Sequence, residues 1–314
     1  MISMLKTTRF MQGWILNRKK IDISMINLKR GLLLFSLLLG IILCLSSCFL
    51  TFRTSDKKAM KSFKEKKINA QFHQYSFAKR NIHYVESGNP KADIVLFFVH
   101  GSPGSWNAFE NYLLDSGLNQ RYLMISVDRP GYGYSNFGQK EESLTIQSIV
   151  YAPLLKKYLE QGKKIVLIGH SYGGPVIAKM GMDFDEAIAG LIFIAPSIDP
   201  ELEEELWIQK PATWAIFKWM IPAAVVVSNE EILALKPELQ RIIPYWSNLK
   251  MPVVFIQGGK DELVHPRNKD FAEKQLKNAP LEMMYYPELD HFIPFTHKEI
   301  VLEAIEKMDK KLRR

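Results

Sequence analysis

Past residue 72 the chain alternates between short runs that are apolar at nearly every position and longer stretches with helical periodicity. The runs are NIHYVES, DIVLFFVH, YLMISVD, KIVLIGH, GLIFIAP, PVVFIQG and LEMMYYP. Runs without polar alternation suit strands covered on both faces, as in a mostly parallel sheet. Between them, residues 143–162, 172–184 and 297–314 have helix length, and Ile300, Ala304 and Met308 in the last share one face. Alternating strands and helices predict an α/β fold with a doubly wound, mostly parallel sheet. Reactive side chains are then expected where strands end, at the carboxyl edge of the sheet.

The first 50 residues follow a different pattern. Lys29 and Arg30 precede Gly31 and a run from Leu32 to Leu45 that only Ser36 and Gly40 interrupt. A charged segment followed by an apolar one is the layout of an export signal. The run closes on Leu45-Ser46-Ser47-Cys48, which resembles the lipobox of bacterial lipoproteins. That resemblance implies that residues 1–48 are an export signal with its lipobox, that cleavage leaves a lipidated Cys48 as the first residue, and that Cys44 leaves with the signal. Met25 offers an alternative start that would give a signal of ordinary length. A single transmembrane anchor continuing through Phe49, Leu50 and Phe52 is the competing reading, since about 20 apolar residues span a bilayer. With two cysteines four positions apart and none elsewhere, neither a long-range disulfide nor a metal site is expected. Residues 49–71, which include RTSDKKAMKSFKEKK, read as a basic, solvated tether that could also touch anionic headgroups.

Charge narrows the partner classes. The formal net charge is +8, but seven of the 41 Lys and Arg and only one of the 33 acids fall in residues 1–48. The remainder is close to neutral, which argues against a nucleic-acid partner. The expected localisation is at a membrane outside the cytoplasm.

Chemistry enters at VLIGHSYGGPV, where Gly169-x-Ser171-x-Gly173 follows a strand and opens a helix. Glycines on both sides let the chain turn sharply and leave the serine exposed at the tip, the context of a nucleophile elbow. From about residue 75 to the C-terminus the chain resembles the α/β-hydrolase superfamily. In FVHGSPGSW, the resemblance implies that the backbone N–H of Ser102, paired with that of Tyr172 after the nucleophile, forms the oxyanion hole. Pro103 has no N–H to offer. In DRPGYGYS it implies structural roles for Asp128 and Arg129. The chain order nucleophile, acid, base then points to Asp261 in QGGKDELVHP and His291 in PELDHFIPF. Glu262 and Asp199 stand as competing acids, and a turn residue is the alternative role for Asp261. Of the seven histidines only His291 lies where the family places its base.

These assignments predict a serine hydrolase that cleaves a carboxylic ester of a small-molecule acyl substrate through an acyl-enzyme, with no metal or cofactor. Haloalkane dehalogenases and epoxide hydrolases of this fold carry an aspartate at the elbow, so Ser171 argues against both. HGSPG is similar in part to the turn of proline iminopeptidases, whose elbow carries tryptophan where Tyr172 stands. An aminopeptidase or amidase, an acyltransferase and an inactive binding protein are the alternatives. Residues 197–250, with Trp207, Trp214, Phe217, Trp219 and Trp246 among aliphatics, predict a helical cap within a domain spanning 72–314.

Overall fold

The computed structural model describes residues 51–204, 209–212, 214 and 221–313. The expected export signal, Cys48 and the cap residues Trp207, Phe217 and Trp219 lie outside the described residues. Among those described, no helix is long and apolar enough to cross a membrane.

Eight strands form one sheet: β1 (Ala70–Phe77), β2 (Arg80–Gly88), β3 (Ile94–Val99), β4 (Leu123–Val127), β5 (Lys164–His170), β6 (Ile188–Ile194), β7 (Val253–Gly258) and β8 (Leu281–Tyr286). Their order is β1-β2-β4-β3-β5-β6-β7-β8. The β1/β2 and β2/β4 pairings are antiparallel, and every later pairing is parallel. The seven expected strands are present, and the expectation of a mostly parallel α/β sheet holds. The missed strand is β1, an edge strand in which Gln71, Gln74, Ser76 and Phe77 remain exposed, so it lacks the continuous apolar run that marks the central strands.

Each face of the sheet carries its own core. Val95, Phe97 and Val99 of β3 face one side, against Tyr151, Leu154 and Ile177. Ile94, Leu96 and Phe98 face the other, against Trp106, Phe109 and Val301. A period of two sends alternate residues to opposite layers, and both layers are covered, which is why all six residues of β3 are buried.

The helices needed for the site follow. The expected helix 143–162 is two helices, α2 (Leu144–Ile149) and α3 (Ala152–Leu159). Pro153 has no N–H for a carbonyl one turn earlier, so the chain restarts there with proline in the new first turn. Helix α4 (Gly173–Asp183) leaves the elbow, α5 (Ala223–Ile242) lies between β6 and β7 in the stretch expected to be the cap, and α6 (Lys298–Leu312) packs on the second core.

The segment expected to be a solvated tether is different. Residues 53–67 contain helix α1 (Asp56–Glu65), capped by the Ser55 side chain. Ala59 and Phe63, four apart, are fully buried. Phe63 stacks on Trp106 at 6.3 Å and meets Phe72 edge-on at 6.2 Å. The lysines that make the stretch look like a linker occupy the outer face of an amphipathic helix.

Candidate active site

Strand register gathers the candidate residues. Val99 pairs with Gly169, His170 with Ile194, Ile194 with Ile256, and Gly258 with Tyr286. Strands β3, β5, β6, β7 and β8 therefore end almost level, and the residues just beyond them share one edge.

At the elbow, Ser171 has φ of +55°, in the left-handed region that costs a residue with a side chain about 1 kcal/mol or more. The turn is held by Ser171 N–H donating to Ile194 O at 3.0 Å and Gly174 N–H donating to Ser171 O at 2.9 Å. The flanking glycines are steric requirements. A Cβ on Gly173 would lie 2.2 Å from the carbonyl oxygen of Val99, and one on Gly169 would lie 2.5 Å from that of Gly173. Pro175 is tolerated in the first turn of α4, where its missing N–H would have no helical partner.

Asp261 and His291 meet. His291 Nδ1 lies 2.8 Å from Asp261 Oδ2, and both side chains are buried. The other carboxylate oxygen, Oδ1, accepts from the amides of Leu263 at 3.0 Å and Val264 at 2.8 Å, which fixes the rotamer. Gln257 Nε2 donates to Oδ2 at 3.3 Å. Of the competing acids, Asp199 caps a 3₁₀ turn through the Glu201 amide at 3.0 Å, and Glu262 points into solvent. The other histidines have other partners. His265 accepts from the Arg267 amide, and His297 lies beside Thr296. His170 packs at 4.7 Å against the His291 ring. Burial and the neighbouring His291 push the His170 pKa down to about 3, so it stays neutral and does not compete for a proton.

The expected oxyanion turn closes against the elbow. A Cβ on Gly101 would come 2.9 Å from Ser171 Cβ, so only glycine lets the turn carrying Ser102 approach the serine this closely. Asp128 is buried and accepts from the amides of Trp106 at 2.7 Å and Tyr134 at 2.9 Å, with His83 Nδ1 at 2.8 Å. A buried carboxylate tying three segments together fits the structural role expected for it. Arg129, also buried, donates through Nε to His100 O at 3.0 Å and through Nη2 to Gly101 O at 3.1 Å.

One feature of the site was not anticipated. The Arg129 guanidinium makes a bidentate pair with Glu231 of the cap helix α5, Nη1 to Oε1 at 2.8 Å and Nη2 to Oε2 at 3.0 Å. Tyr132, Gln147 and Ser102 complete the cluster. Burial alone would lower the arginine's pKa, and the adjacent Glu231 carboxylate more than reverses that, so the guanidinium stays charged. The signal available beforehand was an acidic pair, Glu230-Glu231, between the apolar runs 223–227 and 232–235.

An open sheet with one antiparallel margin, a strand–serine–helix elbow and an acid–histidine pair beyond the last two strands define the α/β-hydrolase fold. The chain has that fold, and the family described as the alpha/beta hydrolase fold matches residues 94–215. Among curated proteins it is similar to Protein ABHD8 of Bos taurus, 27% identical over 68% of this chain and 44% of that protein. The chain thus spans less than half the length of that relative. It is also similar to the pFDCC methylesterase MES16 of Arabidopsis thaliana, 26% identical over 69% of this chain and 97% of that protein. Among solved structures, a bacterial membrane phospholipase A superposes with a TM-score of 0.61, at 17% identity, over 91% of this chain and 99% of the other.

Proposed function

We propose that the protein is a serine hydrolase that cleaves carboxylic esters through an acyl-enzyme, with Ser171 as nucleophile, His291 as base and Asp261 as orienting acid. The observation that carries this reading is the buried Asp261–His291 pair at 2.8 Å on the same edge as the strained Ser171 turn. Because Nδ1 faces the carboxylate, Nε2 is the nitrogen that takes the Ser171 proton as the hydroxyl attacks the ester carbonyl. Asp261 holds that tautomer and offsets the imidazolium charge. The amides of Ser102 and Tyr172 then receive the oxyanion, at ~3 kcal/mol of transition-state stabilisation per donor. Collapse expels the alcohol with the proton from His291, and water activated by the same imidazole releases the acid.

The reading extends to a membrane. Cys48 is proposed to carry the lipid, and the structure of the first described residues supports an anchor on the catalytic side. Phe52 O accepts from Ser105 Oγ at 2.7 Å, and Thr54 Oγ1 accepts from Asn107 Nδ2 at 2.9 Å. Arg53 donates to Gly133 O at 3.0 Å and lies 4.9 Å above the Tyr134 ring. All of these partners sit in turns that follow β3 and β4. Cys48 stands four positions before Phe52, a reach of about 14 Å at most. A bilayer holding Cys48 would face the site, and Leu263, Phe292 and Phe295, exposed apolar residues beside Asp261 and His291, lie on that edge. Esters of lipid or envelope components are therefore the preferred substrates.

A fluorophosphonate probe tests the chemistry: the wild type should label and Ser171→Ala should not. Equal labelling of the two would refute the assignment. A p-nitrophenyl ester series of increasing chain length, run beside aminoacyl arylamides, tests the bond cleaved, and activity on the arylamides alone would replace the esterase reading with a peptidase. For the anchor, Cys48→Ser should abolish metabolic labelling with palmitate.

A further inference from the structure

We infer that Glu231, on the cap helix α5, is a positioning residue for the oxyanion hole, tying the two residues that supply its amides to one buried carboxylate. The inference rests on the serine hydrolase reading above. Ser102 is held directly, its hydroxyl lying 2.9 Å from Glu231 Oε2 and 2.6 Å from the Tyr132 hydroxyl, which is itself 2.7 Å from Oε2. Tyr172 is held through its side chain. Its ring lies 4.5 Å below the Arg129 guanidinium, and its hydroxyl accepts from Gln147 Nε2 at 3.4 Å. Gln147 Nε2 also donates to Glu231 Oε1 at 3.1 Å, and Gln147 Oε1 accepts from Arg129 at 2.7 Å. Arg129, fixed by Glu231, grips the carbonyls of His100 and Gly101, the two residues that lead into Ser102.

Stability is a weak reason for such a cluster. Arg129 and Glu231 are both fully buried, and buried ion pairs are often matched or exceeded by apolar residues of similar volume. What a fully bonded polar cluster supplies is a single geometry. Burial and the Glu231 charge raise the pKa values of Tyr132 and Tyr172 well above the ordinary phenol range, so both hydroxyls keep their protons. Because Glu231 belongs to the cap, seating of the cap and alignment of the oxyanion amides are one event. Val227, one turn earlier on α5, packs with Tyr132 and reinforces the same contact.

The test separates alignment from folding. Ser102→Ala keeps the backbone amide and the Arg129–Glu231 pair, and cuts only the hydroxyl link. With p-nitrophenyl butyrate, kcat should fall about 10-fold with KM within about twofold, a part of the roughly 100-fold or greater loss seen when a donor is removed outright. Ser102→Thr restores a hydroxyl and should recover most of that loss. Glu231→Gln should lower kcat further. If Glu231→Gln fails to fold, Ser102→Ala and Ser102→Thr decide alone. The inference is overturned if Ser102→Ala retains the wild-type kcat, if its defect lies entirely in KM, or if threonine restores nothing. Fluorophosphonate labelling distinguishes the two levels. A labelled wild type with an unaffected Ser102→Ala removes this inference only, whereas an unlabelled wild type removes the hydrolase reading and this inference with it.

Discussion

Replacing Phe63 by alanine tests whether helix α1 belongs to the folded domain. The side chain is fully buried between Trp106 and Phe72 and sits in the second core. A phenylalanine of this kind removes roughly 150–200 Å² from water, worth about 4 kcal/mol at 25 cal/mol/Å². Each aromatic pairing adds about 0.5–1.5 kcal/mol. One effect limits the loss: α1 is a ten-residue helix at the margin of the domain, so once its docking energy is spent it can detach while the sheet persists. The expected destabilisation is therefore about 3 kcal/mol, at the lower end for Phe→Ala in a core. Urea unfolding supplies the magnitude, and hydrogen exchange at the amides of residues 59–65 supplies the location. Lys61→Ala, on the outer face, should change stability by less than about 0.5 kcal/mol. A Phe63→Ala loss below about 1 kcal/mol, or exchange at 59–65 as fast in the wild type as in the variant, would refute the packing argument.

Asp261→Asn should leave the loop intact, since the amide oxygen can still accept from Leu263 and Val264, but lower kcat by roughly 10³–10⁴ because the imidazole loses its tautomeric partner; a loss under tenfold would remove Asp261 from the triad. Gly173→Ala and Gly190→Ala should differ in folded yield and melting temperature. The first meets the Val99 carbonyl at 2.2 Å, which cannot yield, and should cost about 2–3 kcal/mol or more, whereas the second meets the flexible end of Met308 and should cost about half as much. Equal costs would count against the steric account. His170, with a folded pKa of about 3 against an unfolded value near 6.5, binds its proton more readily when unfolded. Its stabilising contribution is present above pH 6.5 and is lost as pH falls toward 3, about 2 kcal/mol of it between pH 7 and 5. His170→Gln should therefore show a shallower acid destabilisation over that range by urea unfolding, and parallel curves would contradict the shift.

The legible parts of the fold were those with a local signature. Central strands announce themselves because burial on both faces leaves no room for polar residues, as in IVLFFV. The elbow did so because its glycines answer contacts with the backbone at Val99 and Gly173, which no other residue type could satisfy. Edge strand β1 and helix α1 were illegible for the opposite reason. Each buries only a few side chains, and composition over the remaining exposed positions outweighs them. In α1 the pair Ala59 and Phe63 carried the signal, diluted by four lysines in a ten-residue helix.

The same distinction divides the site. Asp261 and His291 are 30 residues apart, yet both follow strands, so a mostly parallel sheet whose strands end level brings them together without any further specification. Glu231 has no such guide. It reaches Arg129, 102 residues away, from an inserted helix whose placement no strand order dictates. What can be argued from sequence is a pairing rule: an acid flanked by apolar runs in a helix and an arginine in a glycine-rich turn each demand a buried partner of opposite charge. In this chain the two demands are met by each other, directly beneath Ser102. A charge buried on an insertion is thus a pointer to where that insertion docks, and here it docks against the loop proposed to supply an oxyanion amide.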